Sequence, residues 1–184
     1  MRQAGRIVAE VLEGLRERVK PGVTTAALDA WAEQLIRRRG GVPSFKGYRG
    51  YPASVCISID AEIVHGIPGR RRLREGEIVS LDVGVIYEGY QGDAAITIGV
   101  GTISPVAAQL IQVTKEALAA AIDSLPQPYR EVLVLRAFYD MSYREIADIV
   151  DCPESTARSR MDYAIKELKK FYRRLGNRKL GEIS

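Results

Sequence analysis

Three residues in the first hundred positions stand in short motifs that suggest part of a divalent metal site. They are His65 in Val-His-Gly-Ile-Pro, Asp82 in Ser-Leu-Asp-Val-Gly and Asp93 in Gly-Asp-Ala-Ala. Carboxylate oxygens are the ligands that hard divalent cations prefer, and two carboxylates can bridge metal ions about 3.5–4 Å apart. His65 is the only histidine of the sequence, so these residues form at most part of a two-metal site.

The two aspartates lie in segments whose apolar residues alternate with polar or small ones. This alternation predicts one strand over residues 77–86 and a second over residues 91–99, with a tight turn between them. An antiparallel hairpin of these strands places Asp93 opposite Gly84, on the same face as Asp82. The two carboxylates are therefore expected to be diagonal neighbours, with Cα atoms roughly 7–8 Å apart.

Other elements must support this hairpin. Apolar residues recur at helical spacing over residues 4–19 and again from Thr24 to Gly40, and residues 53–59 form a third strand candidate. A glycine-rich loop over residues 43–50 separates the helices from the strands. The front of the chain is therefore predicted to be of the α+β class, with helices packed on an antiparallel sheet.

Composition narrows the class of protein. The chain has 184 residues, of which 46% are hydrophobic and 27% charged, enough for one large or two small folded domains. No apolar run approaches the roughly 18–20 residues of a membrane span, and the N-terminus lacks the apolar segment of a signal peptide. Two isolated cysteines argue against a disulfide framework, so a cytoplasmic protein is expected.

The front part resembles a known enzyme family on four motifs. They are Pro-Ser-Phe-Lys-Gly-Tyr-Arg-Gly-Tyr-Pro-Ala-Ser (43–54), Val-His-Gly-Ile-Pro-Gly (64–69), Ile-Val-Ser-Leu-Asp-Val-Gly (78–84) and Gly-Tyr-Gln-Gly-Asp-Ala-Ala (89–95). Residues 1–122 resemble the N-terminal half of a type I methionine aminopeptidase, which has the pita-bread fold. The resemblance implies that Asp82 binds a divalent metal (Co, Mn or Fe), that Asp93 bridges two metals and that His65 contacts substrate.

This sequence departs from the family pattern at positions that affect metal binding and catalysis. Asp60 stands where the family commonly has asparagine, and Gln91 stands where it often has histidine. The family also takes a histidine and two glutamates from its second half as metal ligands, and the single histidine of this chain is already assigned. We therefore expect weak or absent metal binding and no catalysis by this chain alone, because two carboxylates cannot form the two-metal clamp.

The rear part has the pattern of a helical bundle. Pro128 suits the first turn of one helix, and Ser142 with Glu145 three residues later forms a capping box for a short second helix. That short helix is expected to bury Ile146, Ile149 and Val150. A tight turn over residues 151–154 leads into a long helix, and this order is typical of a helix-turn-helix.

The long helix is strongly basic, with nine basic residues against two acidic ones over residues 155–179. This charge pattern is that of a solvated helix face or of a nucleic-acid contact. The motifs at 125–136, 141–150 and 155–160 resemble region 4 of sigma-70 transcription factors, especially the extracytoplasmic-function group. This resemblance implies binding to a promoter −35 element and contact with RNA polymerase. Candidate DNA-binding residues are Ser155, Thr156, Arg158, Ser159, Arg160 and Lys166.

Three interpretations remain open from the sequence. The chain is a fusion that binds DNA through its rear module, a metal-dependent aminopeptidase by descent that needs a complementary half, or a recombined or engineered chimera without an evolved function. The expected organisation is a half aminopeptidase-like domain (1–122), a helix-turn-helix module (123–175) and a tail (176–184). A homodimer through the uncovered surface of the half domain would bring two carboxylate pairs together.

Overall fold

A computed structural model describes residues 2–139 and 141–181 of the chain; in the last helix, the side chains of residues 172 and 174–181 are not described. These residues divide into two compact units, Met1–Ile111 and Gln112–Ser184, which are treated separately below. No helix in the described part is both long and apolar enough to cross a membrane.

The first unit combines helices with an antiparallel sheet, as the sequence predicts. Its elements are α1 (Arg2–Arg18), α2 (Thr25–Arg38), β1 (Val42–Pro43), a 3₁₀ turn (Tyr48–Gly50), β2 (Val55–Ile59), β3 (Ile78–Tyr87), β4 (Tyr90–Gly99) and the start of α3 (Pro105–Asp123). The short strand β1 and the 3₁₀ turn lie in the segment that the sequence suggested was only a loop. A strand of two residues is too short to show the alternation of apolar and polar residues by which strands are predicted from sequence.

The sheet is organised around β3. The β4 strand pairs with β3 along its whole length, so β1 and β2 pair with the opposite edge of β3. The register joins Gly84 to Asp93 and Asp82 to Ala95. This register confirms the predicted hairpin, and β4 is left as an edge strand with one pairing partner among the described strands.

One face of the sheet forms the core of this unit. The inward-facing residues of β2 and β3 are fully or almost fully buried against α1 and α2, and they are Val55, Ile57, Ile59, Val79, Leu81, Val83 and Val85. Burying a side chain of this size stabilises a fold by about 1.5–3 kcal/mol. Because side chains alternate along a strand, the same packing turns Cys56, Asp82 and Asp93 to the opposite face.

The second unit is helical and contains α4 (Gln127–Ala137), α5 (Tyr143–Ile149) and α6 (Glu154–Gly181) after the end of α3. Two small apolar clusters hold it together, one around Val132, Ile146 and Ala157 and the other around Leu125, Leu133 and Ala164. Four of these residues, Val132, Ile146, Ala157 and Ala164, are fully buried.

The predicted capping box is present at the start of α5. The Ser142 hydroxyl accepts from the Glu145 amide at 3.2 Å, and the Glu145 carboxylate accepts from the Ser142 amide at 2.8 Å. The prediction that α5 buries Ile149 is wrong, because this side chain is 56% exposed. Ala147 and Val150 lie beside Ile146 on the inner side of the helix, which turns Ile149 outward.

The predicted tail begins at residue 176, but α6 continues as helix through Gly181. Residues 182–184 of that predicted tail lie outside the described residues. The boundary that the sequence suggests at residue 122 falls at the C-terminal end of α3, whereas the division of the chain into two compact units falls within this helix, after Ile111.

Candidate functional site

The Asp82 and Asp93 carboxylates lie together on the outer face of the β3–β4 hairpin. Their register positions differ by two residues, because Asp93 pairs with Gly84. The hairpin therefore makes them diagonal neighbours. Asp82 is half-buried and Asp93 is exposed, so the pair lies at the border between the sheet and solvent. The two carboxyl groups are close enough for a shared hydrogen bond.

Burial and mutual repulsion perturb this pair. Desolvation, followed by the charge and the hydrogen bond of the neighbouring Asp93, raises the pKa of Asp82 to about 6, and His65 acts in the opposite direction. Desolvation also raises the pKa of Asp93, and the hydrogen bond from Asp82 opposes that rise. Both carboxyl groups hold protons more tightly than ordinary aspartates, which is expected when two like charges share a site.

These pKa shifts predict a pH-dependent stability. A carboxyl group whose pKa is higher in the folded state than its ordinary value of 3.8 stabilises the fold only while it is protonated, and this contribution is lost as pH rises toward 6. We expect Asp82→Asn to raise the free energy of unfolding at pH 7.5 by on the order of 1 kcal/mol, discounted for solvent screening, and to change little at pH 4. Urea titrations at both pH values measure it.

The control for this prediction is Asp60→Asn in the same unit. Asp60 has a positive φ of 52° and its carboxylate accepts from the Ile78 amide, and asparagine tolerates that conformation and can accept the same bond. Equal stabilisation by both substitutions would mean that a general loss of negative charge, and not the Asp82–Asp93 pair, is responsible.

Two further side chains border the pair and were missed by sequence reasoning. Cys56 lies directly opposite Asp82 in the sheet and is buried, and burial raises the pKa of its thiol. The Tyr51 hydroxyl donates to the Val55 and Gly66 carbonyls at 3.1 and 2.9 Å, and burial raises its pKa as well. The alternation of β2 was enough to find Cys56, because residue 56 must share the face of Asp82 once β2 pairs with β3.

His65 is exposed and sits at a positive φ of 59° in the loop between β2 and β3. The next residue fixes this loop against β2: Ile57 donates to the Gly66 carbonyl at 2.9 Å, and Gly66 donates to the Ser58 hydroxyl at 3.0 Å. A Cβ on Gly66 would lie 2.1 Å from the Ile57 carbonyl oxygen, so only glycine fits. The charge of His65 lowers the pKa of Asp82.

The donor set does not fit a two-metal centre. Among the described residues, no group of three or more histidine, cysteine, aspartate or glutamate side chains is arranged to hold a metal ion. Catalytic metal sites commonly use at least three protein ligands, and octahedral Mg²⁺ or Mn²⁺ sites complete their shell with several waters. Asp82 and Asp93 supply two carboxylates, which can bind one hard cation but are too few ligands for two metal ions.

A second candidate site lies at the junction of α5 and α6. After α5 the chain turns at Asp151, which has a positive φ of 46°, and the Cys152 amide donates to the Ala147 carbonyl at 3.0 Å. The α6 helix then begins at Glu154. This short helix, tight turn and longer helix have the arrangement of a helix-turn-helix.

The six candidate DNA-binding residues differ in how far their side chains are exposed to solvent. Ser155, Arg158, Ser159 and Lys166 are exposed, whereas Thr156 and Arg160 are half-buried. The Ser159 hydroxyl donates to the Thr156 carbonyl at 2.9 Å, so this serine must break an internal hydrogen bond before its hydroxyl can donate to a phosphate or a base. The exposed residues lie along the start of α6, where a recognition helix contacts base edges.

Arg158 is held by two neighbours. Its guanidinium forms an ion pair with Glu154 at 2.5 Å and lies 4.6 Å from the centre of the Tyr143 ring. Glu154 and Arg158 are four residues apart on α6, a spacing at which oppositely charged side chains meet on one face of a helix. The contact with Tyr143 crosses from α5 to α6 and was missed, since no local pattern reports contacts between helices.

The comparisons with known proteins agree with this division. The family model described as metallopeptidase family M24 matches residues 1–133, and that described as sigma-70, region 4 matches residues 115–168. The chain belongs to metallopeptidase family M24, and its rear part matches sigma-70 region 4. Both predicted resemblances and the pita-bread fold class are confirmed.

Curated relatives are methionine aminopeptidases. That of Clostridium acetobutylicum is 55% identical over 124 residues, covering 67% of this chain and 50% of the relative. Methionine aminopeptidase 1 of Bacillus subtilis is 50% identical over 118 residues, covering 64% and 48%. The crystal structure of the Rickettsia prowazekii enzyme aligns with a TM-score of 0.64 at 38% identity, covering 66% and 49%. The chain spans about half the length of the curated relatives it matches.

Proposed function

We propose that the chain is a fusion whose activity is DNA binding through the α5–α6 module, with the aminopeptidase-like unit acting as a structural platform. The observation that carries this proposal is the exposed start of α6, where Ser155, Arg158 and Ser159 follow a capped helix and a tight turn. Match to sigma-70 region 4 supports a promoter −35 element as the class of site.

The charge of α6 favours a duplex partner. Lys166, Lys169, Lys170 and Arg173 are exposed, and of these Lys170 pairs with Glu167. Lysine side chains that face phosphates release condensed counterions, which makes affinity fall with salt. Contacts of this kind position a protein on DNA, whereas side chains at the start of the helix distinguish the bases.

The test is binding of the full chain to −35-type duplexes at several salt concentrations. Neutralising about three or four phosphates predicts a slope of log affinity against log salt near −3. The matched variant Lys166→Ala is expected to weaken binding to all duplexes alike and to reduce the slope by about 1. Affinity that does not change with salt would contradict the proposal.

A contact with RNA polymerase is the second part of this proposal, because sigma-70 region 4 is its source of support. Retention of the polymerase core enzyme on the immobilised full chain is the measurement, with Lys166→Ala as a variant that should retain it. Failure to retain the polymerase would limit the proposal to DNA.

The Asp82–Asp93 pair favours a second candidate, a methionyl aminopeptidase by descent that is active only when a complementary half supplies further ligands. One source of that half is a second copy. Asp93 and its neighbours Ala94 and Ala95 on the edge strand β4 are exposed, and pairing of two such edges would bring two carboxylate pairs together. Light scattering at increasing concentration tests this homodimer; a constant monomer mass would contradict it.

The third candidate is a recombined or engineered chimera without an evolved function. It is favoured by the direct overlap of the two family matches over residues 115–133, since natural domains are more often joined by a polar or Pro/Gly-rich connector. Full-chain binding that shows no preference among duplex sequences would support this candidate over the first.

A further inference from the structure

The ring of Tyr143 lies within cation–aromatic distance of two arginines, one from each neighbouring helix of the second unit. The guanidinium carbon of Arg158, on α6, is 4.6 Å from the ring centre, and that of Arg136, on α4, is 5.4 Å away. Both distances are within the roughly 6 Å over which a guanidinium is attracted to an aromatic face. Tyr143 thereby connects α4 to the exposed start of α6.

The position of Tyr143 is itself fixed. It is the first residue of α5, directly after the Ser142 cap, and its ring packs against the apolar cluster around Ile146. Arg136 donates to the Met141 carbonyl at 2.9 Å, which ties the end of α4 to the segment leading into the cap. The ring is therefore a rigid surface, because its backbone and its packing partners are both constrained.

Arg158 is much less constrained by its own helix. Its side chain is 60% exposed, and it forms an ion pair with Glu154, four residues earlier on the same helix. An exposed pair of this type contributes little, because ordering two long side chains costs entropy. The Tyr143 ring adds a flat surface against which the planar guanidinium can stack, which fixes the plane of the group as well as its direction.

We propose that Tyr143 is a positioning residue for base recognition: it holds the Arg158 guanidinium in place before DNA binds. This inference rests on the proposed DNA-binding function. A guanidinium that reads guanine does so through two parallel hydrogen bonds, so its plane decides whether both form. A side chain ordered in advance loses less entropy on binding, and the gain applies to the duplex that Arg158 recognises.

The test compares discrimination between the best duplex and its single-base-pair variants. We expect Tyr143→Leu and Tyr143→Met to lower discrimination by about two- to fivefold, the size of one exposed cation–aromatic contact. Tyr143→Phe should keep wild-type discrimination, because the ring and not the hydroxyl is used. The salt slope should not change in any of these variants, since Tyr143 is not placed against phosphate.

A double-mutant cycle with Arg158→Ala separates positioning from packing. In the Arg158→Ala background, Tyr143→Leu should have no further effect on discrimination, because the group it positions is gone. The matched control is Tyr163→Leu, which removes a ring that stacks on Tyr129 at 4.1 Å in the same unit. It should lower thermal stability and leave discrimination unchanged.

The possible outcomes distinguish positioning by Tyr143 from the proposed DNA binding on which it rests. If Arg158→Ala leaves discrimination unchanged, the assignment of α6 as recognition helix fails. If Arg158→Ala lowers discrimination but Tyr143→Leu and Tyr143→Met do not, or if Tyr143→Phe is as defective as they are, positioning by the ring is overturned while DNA binding stands. Circular dichroism of each variant gives the folded fraction to which binding is normalised.

Discussion

Replacing Arg158 by alanine is expected to weaken binding of the full chain to its best duplex by about 5- to 100-fold, the size of one bidentate contact with guanine. Arg158 is exposed at the start of α6 and its guanidinium is already oriented by Glu154 and Tyr143. Affinity for duplexes that lack the recognised base pair should fall less, because these complexes lose only the attraction of one positive charge to the phosphates. Competition titrations at fixed salt measure both affinities.

Two variants complete this experiment. Arg158→Lys retains the charge but not the planar fork of donors, so it should recover non-specific affinity without recovering discrimination. Arg74→Ala removes an exposed arginine of the first unit and should leave both unchanged. A uniform loss of affinity for every duplex in Arg158→Ala would mean that Arg158 contacts phosphate and that another residue reads the bases.

The second prediction is that this chain alone does not hydrolyse methionyl peptides. Enzymes accelerate their reactions by at least about 10⁶-fold, and we expect this chain to give no hydrolysis of methionyl peptides above background when Mn²⁺ or Co²⁺ is added. Asp82 and Asp93 supply two carboxylates, and among the described residues no third metal ligand joins them. Water in the remaining positions leaves the cation weakly held and hydrated. Release of methionine from a short peptide is the measurement.

A full-length methionine aminopeptidase, such as the Bacillus subtilis relative, is the positive control for this assay. Turnover that disappears in Asp93→Asn, and whose specific rate rises with protein concentration, would contradict the expectation and show that a second copy completes the site. Turnover that persists in Asp93→Asn would come from a contaminating peptidase. Calorimetry with Mn²⁺ should likewise show weak binding that Asp93→Asn abolishes.

The position of the carboxylate pair could be predicted from the sequence because strands have a period of two. Once Leu81 and Val83 are assigned to the core, Asp82 must face the other way, and the length of the turn sets Gly84 opposite Asp93. The cap of α5 was predictable for a similar reason, since Ser142 and Glu145 interact over three residues. Local rules suffice where the interacting groups are close in the chain.

Contacts between elements that are distant in the chain could not be predicted in this way. The hydroxyl of Tyr51 reaches the Gly66 carbonyl, fifteen residues away, across a loop whose path the sequence does not specify. Tyr143 meets Arg158 because α5 and α6 pack around one apolar cluster. The wrong prediction for Ile149 has the same origin: in a helix of seven residues, small shifts in packing decide which apolar side chain faces inward.

The unpaired edge of β4 gives Asp93 a role that requires no metal. Asp93 is the sole charged residue of this ten-residue strand, and the strand offers a free row of backbone donors and acceptors to any other extended chain. A single charge on such an edge opposes aggregation, because stacking identical strands would bury it beside its own copies. Loss of the Asp93 charge would leave this edge strand without a charged side chain and so remove that opposition to edge-to-edge pairing.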